Sequence, residues 1–132
     1  MPRDRPLPGG KLEYAVLVAV WECGAVTVRE LHERIGVPLG LVYTTTARVI
    51  DRLHAKGLVE RVKEGRAFRY RATAFRHEIE RARLSRTLSS VLAEGTRPAL
   101  ATLVEVMEEI RPGLLDELMA TIDEMRRSRR ES

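Results

Sequence analysis

Between Leu12 and Thr73 the apolar residues change period. Three stretches repeat every three or four residues and are cut off by Gly24, Gly36 and Gly57, and then two runs rich in Val, Phe and Tyr flank Gly65. Spacing of three and four lines one face of a helix, whereas short β-branched and aromatic runs around a glycine mark a hairpin. None of the three helices is long enough to be stable alone, so each must bury its apolar stripe against the others. That order, three short helices and then a hairpin, restricts the first half of the chain to a small helical domain with a β appendage.

The first helix carries Leu12, Ala15, Val16, Ala19 and Val20 on one face and ends at Gly24. Thr27 followed by Glu30 has the form of a capping box, in which each side chain satisfies a backbone amide left free at a helix start. The second helix therefore begins here, presents Val28, Leu31 and Ile35, and stops at Gly36 and Pro38. The third runs from about Leu39 to Lys56, with Val42, Thr46, Val49, Ile50 and Leu53 along its inner stripe and Gly57 as its stop. Thr46 is the one polar member of that stripe, and a backbone carbonyl one turn back is the expected partner for its hydroxyl. LVERV and AFRYRA, joined through Lys63, Glu64, Gly65 and Arg66, read as the hairpin, with Phe68 and Tyr70 as core residues.

Beyond Thr73 three further helical patterns follow, with breaks at Gly95 to Pro98 and at Pro112 to Gly113. The expected fold is mainly α with a small β-hairpin: a winged helix-turn-helix domain followed by a C-terminal helical region. The expected boundaries are a flexible arm rich in Pro and Gly at 1–10, the winged domain at 11–73, the helical region at 74–128 and a tail at 129–132.

Charge divides along the same line. Residues 1–76 hold 14 Lys and Arg against 8 Asp and Glu, whereas 77–132 hold 9 against 11. The winged half is thus the one suited to a polyanion such as double-stranded DNA. In a winged helix-turn-helix the third helix enters the major groove and the hairpin flanks it. The outer face of that helix carries Thr44, Thr45, Arg48, Arg52 and Ala55. Tyr43, Thr44 and Thr45 open the helix, where hydroxyls and free amides meet phosphate or base edges. Arg48 lies one turn on, where its planar fork can bond the O6 and N7 atoms of guanine. Arg52 and Lys56 continue the basic surface, and Lys63 and Arg66 sit beside Gly65 at the hairpin tip, suited to phosphate contacts. Arg61, Arg69 and Arg71 along the strands fit either phosphate contact or plain solvation, and Arg3 and Arg5 in the arm fit phosphate contact or a solvated tail.

These residues resemble the penicillinase-repressor family, the BlaI/MecI/CopY type of winged-helix regulators. LEYAVLVAVWECG is similar to the family's first helix with its Trp-x-x-Gly turn, TVRELHERI to its second helix, YTTTARVIDRLHAKGLV to its recognition helix and EGRAFRYRA to its wing. The resemblance spans residues 12–72. It implies a homodimer that represses transcription from a dyad-symmetric operator, with the C-terminal helices as the dimerisation region. On the recognition helix the family commonly has Tyr-Thr-Thr-Val-x-Thr, where this chain has Tyr43, Thr44, Thr45, Thr46, Ala47 and Arg48, so Arg48 implies a different operator. Well-known members are cut by a sensor protease at an Asn-Phe bond in the C-terminal helices, and Thr102 and Leu103 stand at the equivalent bond here. Copper-responsive relatives carry paired cysteines near the C-terminus, which this chain lacks.

Other functions fit the residues less well. No nucleophile with its base, phosphate-cradling glycine loop or metal cluster is apparent, so neither an enzyme nor a cofactor or metal site is expected. His32, His54 and His77 are far apart in sequence and suit solvent-facing or locally bonded roles. The single cysteine, Cys23, is flanked by apolar residues and is expected to be a buried structural thiol. No apolar run approaches the roughly 18 to 20 residues that span a bilayer, so a cytoplasmic protein without a membrane partner is expected. Two rivals stand beside the repressor: a MarR-like regulator released by a small ligand, and a winged helix that binds protein rather than DNA.

Overall fold

The computed structural model describes residues 6–93 and 95–131, which fall into two compact units divided between residues 86 and 87. The first contains α1 (Lys11–Cys23), β1 (Val26–Thr27), α2 (Val28–Leu31), α3 (Tyr43–Ala55), β2 (Val59–Glu64), β3 (Ala67–Ala72) and the start of α4 (Arg76–Leu92). The second holds the end of α4 with α5 (Thr96–Ile110) and α6 (Leu114–Glu131).

The expected capping box is present: the Glu30 amide donates to Thr27 Oγ1 at 3.2 Å and the Thr27 amide to Glu30 Oε1 at 2.9 Å. It starts a very short α2, which widens at once into a π-helical turn over His32–Gly36. Gly36 closes that turn at a point where a Cβ would collide with the His32 ring and with Thr46 Oγ1. The absence of a side chain lets α2 and α3 approach closely enough for His32 Nδ1 and Thr46 Oγ1 to share a hydrogen bond of 2.8 Å. Thr46 is fully buried, and its partner is thus this imidazole across the helix pair rather than a carbonyl of its own helix.

Leu17, Leu31, Ile50, Leu53 and Ile79, all fully buried, join Val16, Val20, Val26 and Val49 in one core. Burying each such side chain contributes roughly 1.5 to 3 kcal/mol. The hairpin joins β2 to β3 through Gly65 and Arg66, and β3 also pairs with β1 through Val26 and Tyr70, giving a three-stranded antiparallel sheet in the order β1-β3-β2. Two residues are too few to show an alternation, so β1 was not legible beforehand.

Several expectations change. The segment ahead of α1 is anchored rather than mobile from residue 7, because Leu7 and Pro8 are buried; Arg3 and Arg5 lie outside the described residues. The first unit does not end at 73: Ile79 completes its core, Tyr14 Oη donates to Glu80 at 2.8 Å and the Arg83 guanidinium lies 3.8 Å from the Tyr14 ring centre. The third helix begins at Tyr43 rather than near Leu39, and Val42, its extended N-cap, is exposed instead of lying on the inner stripe. Phe68 is also exposed, under the Arg61 guanidinium, while Tyr70 is buried as expected. Cys23 is exposed because Gly24 breaks α1 before another turn can cover it. The expected tail is helical through Glu131.

In the second unit α5 and α6 pack against each other, and Glu108 caps the turn between them by accepting from the Gly113 and Leu115 amides at 3.3 and 2.9 Å. Among the described residues none of α5 or α6 is fully buried, and Val104, Val106, Ile110, Met119, Ile122 and Met125 are exposed.

Replacing Gly36 by Ala should overpack the α2–α3 contact and cost about 1 to 3 kcal/mol in urea unfolding. An unchanged midpoint would show that His32 and Thr46 can move apart without penalty.

Candidate nucleic-acid interface

The expected interface residues fall into two groups once their partners are known. Arg52 and Lys56, at the C-terminal end of α3, turn back onto the domain. Lys56 Nζ donates to Glu13 Oε1 at 2.6 Å and to the Leu7 carbonyl at 3.3 Å, and Arg52 Nε donates to Glu13 Oε2 at 3.3 Å. The Gly9 amide gives Glu13 Oε1 a further bond of 2.9 Å. Glu13 itself is only 6% exposed, on the same face of α1 as Val16, Leu17 and Val20. Burial pushes its carboxyl up, but the bonds and charges from Lys56, Gly9 and Arg52 outweigh burial and hold it below the ordinary 4.5. Lys56 thereby clamps α3 to α1 and to residue 7.

Two hairpin arginines are likewise engaged. Arg61 pairs with Asp51 of α3 at 3.8 Å, which ties the wing to that helix. Arg69 pairs with Glu64 at 2.7 Å and Glu30 at 3.1 Å and donates to the Ala25 carbonyl, tying the wing to α2. The two carboxylates raise the Arg69 guanidinium above its ordinary range, the Glu64 bond first.

Arg48, Lys63, Arg66 and Arg71 form the second group. All are exposed, and none has an ion pair or hydrogen-bond partner among the described residues. At the start of α3, Tyr43 and Thr44 are exposed and Thr45 is half-buried. No side chain caps this helix, and the first amides to find acceptors are those of Thr45 and Thr46, which bond the Val42 carbonyl. The Tyr43 and Thr44 amides remain open, unlike those at the capped start of α2. Thr102 and Leu103 lie within α5 of the second unit.

Sequence reasoning missed Glu13, His32 and Leu7. Glu13 left a signal: it stands three and four residues before Val16 and Leu17 and so had to face the core. Nothing in the spacing betrays the His32–Thr46 bond, which depends on the close approach at Gly36.

The arrangement matches known proteins. The penicillinase repressor family model covers residues 9–124. The chain belongs to that family. It is 32% identical over 117 residues to the transcriptional regulator BlaI of Mycobacterium tuberculosis, across 88% of this chain and 83% of that one, in each of two strains. The solution structure of the DNA-binding domain of the repressor BlaI aligns with 56% of this chain and 92% of that domain, at a TM-score of 0.50 and 21% identity. The shared fold is a winged helix, carried here by α1–α3 and the β2–β3 wing. No helix among the described residues is long and apolar enough to cross a membrane.

Because Glu13 titrates below 4.5 in the folded chain, its contribution to stability is complete above that pH and fades as pH falls through the lowered value. Glu13→Gln should cost about 1 to 3 kcal/mol at pH 7, with the loss relative to wild type shrinking toward pH 3. Chemical unfolding across that range measures both, and a difference independent of pH would remove the charge from the explanation.

Proposed function

We propose that this protein is a DNA-binding transcriptional repressor that acts as a homodimer on a dyad-symmetric operator. The reading rests on one observation above others: Arg48, Lys63 and Arg66 are exposed cations without a carboxylate partner among the described residues, on α3 and on the wing tied beside it. Most other cations of α3 and the wing are neutralised within the fold. Unpaired cations next to open helix amides suit a phosphate backbone, and a guanidinium one turn into the helix suits a guanine edge. In this reading α3 lies in the major groove, Thr44 and Thr45 set its position, Arg48 reads a base, Lys63 and Arg66 hold phosphates beside the groove, and Arg52, 53% exposed while bonded to Glu13, adds positive charge at the rim. Lys56 is left out of the contact set.

The exposed apolar residues of α5 and α6 support the dimer, since a second copy would cover them. Repression then follows from occupying the promoter. Proteolytic release by a sensor protease at Thr102–Leu103 would require α5 to unwind at that bond. Nothing in this function calls for catalysis or a cofactor.

Selecting bound sequences from a random DNA pool should return a two-fold symmetric site with half-site centres about 10 base pairs, or a small multiple, apart. On that site Arg48→Ala should cost about 1 to 3 kcal/mol and relax preference at one base pair in each half. Equal loss on all sequences would make Arg48 a phosphate clamp, and recovery of no enriched site would overturn the function.

A further inference from the structure

Residues 35–47 hold no charged side chain, in a chain that is 32% charged. Within that stretch Val37, Leu39, Val42 and Tyr43 are 60%, 51%, 65% and 50% exposed. Exposed apolar residues scattered singly need no explanation, but a cluster marks a contact surface. This one is held in a fixed shape. The Val37 amide donates to the His32 carbonyl at 2.8 Å, the Gly40 amide to Val37 at 3.0 Å and the Leu41 amide to Gly36 at 2.9 Å. Gly40 takes a φ of 72°, which a side chain would resist, and the Tyr43 ring stands edge-on to His32 with centres 5.5 Å apart.

The patch runs directly into the proposed DNA-binding face: Val42 precedes the open amides of Tyr43 and Thr44, and the stretch ends at the unpaired Arg48. A phosphate would select cations here, and most base-edge atoms would select hydrogen-bonding groups. The major groove offers one exposed apolar group, the 5-methyl of thymine. We infer that Val42 and Leu39 read thymine, packing their side chains against 5-methyl groups within each half-site. The inference rests on the DNA-binding reading above and names operator DNA as the occupant of the patch. It adds an apolar reader beside Arg48, so that specificity comes from methyl packing on the turn as well as from hydrogen bonds on the helix.

The test uses the full chain and the selected operator, with each half-site thymine replaced singly by deoxyuridine, which deletes one methyl and leaves base pairing intact. At least one replacement should weaken wild-type binding about three- to fivefold, the effect of exposing roughly one buried methyl. Val42→Ala or Leu39→Ala should weaken binding to the thymine operator by the same factor and bind the thymine and uracil operators alike. Both positions are exposed, so thermal midpoints should stay at the wild-type value; Val42→Thr, which keeps the shape, serves if Val42→Ala misfolds. Variants that retain the full preference for thymine would assign the methyl to Thr44 or Thr45 and overturn the inference. So would an operator still bound tightly whatever thymine is replaced, and variants that bind every site like wild type would assign the patch to a protein partner. Loss of all DNA binding by the wild type would instead remove the DNA reading on which the inference stands.

Discussion

The carboxylate of Glu13 lies within the apolar face of α1 and takes bonds from Lys56, Arg52 and the Gly9 amide. A buried carboxylate is costly unless its charge and lone pairs are met, and removing one partner of such a set is more damaging than never having had it. Here three elements converge to meet it: the segment before α1, α1 itself and the last turns of α3. The opposite end of α3 is held by the Thr46 hydroxyl on His32, made possible by the missing side chain of Gly36. Polar contacts thus fix both ends of the helix while Val49, Ile50 and Leu53 fill the core between them.

That pinning sorts the basic residues of the domain. Cations that stabilise the fold turn inward or pair across elements: Lys56 and Arg52 with Glu13, Arg61 with Asp51, Arg69 with Glu30 and Glu64. On α3 and the wing, Arg48, Lys63, Arg66 and Arg71 have no such partner among the described residues and remain available to an anionic partner. The raw excess of positive charge in the first half of the chain therefore overstates the surface offered to DNA, and the pattern of pairing is the better guide to it. The uncharged turn ahead of α3 completes that surface with a different chemistry.

Much of this was legible in the sequence. The helices, the glycine stops at Gly24 and Gly57, the capping box at Thr27 and the hairpin about Gly65 follow from periodicity and turn chemistry, whereas the expected stop at Gly36 falls instead at Gly40, which takes the left-handed φ. The rest depended on contacts between residues distant along the chain. Nothing local to Lys56 says that it meets a carboxylate 43 positions away. Likewise Ile79 looks like the start of a separate helical region, yet it closes the core of the first unit. Arg48 could be singled out from the sequence because it is an outward cation on a periodic helix, but that it has no acidic partner among the described residues depends on the three-dimensional arrangement.

The division between structural and available cations is the central claim, and the salt dependence of operator affinity tests it most directly. Each phosphate contact released contributes about 0.9 to the slope of log affinity against log salt. Lys63→Gln should flatten that slope by about this amount. Lys56→Gln should leave the slope as it is in wild type while lowering the stability of the fold. A slope flattened equally by Lys56→Gln, or unchanged by Lys63→Gln, would contradict the account.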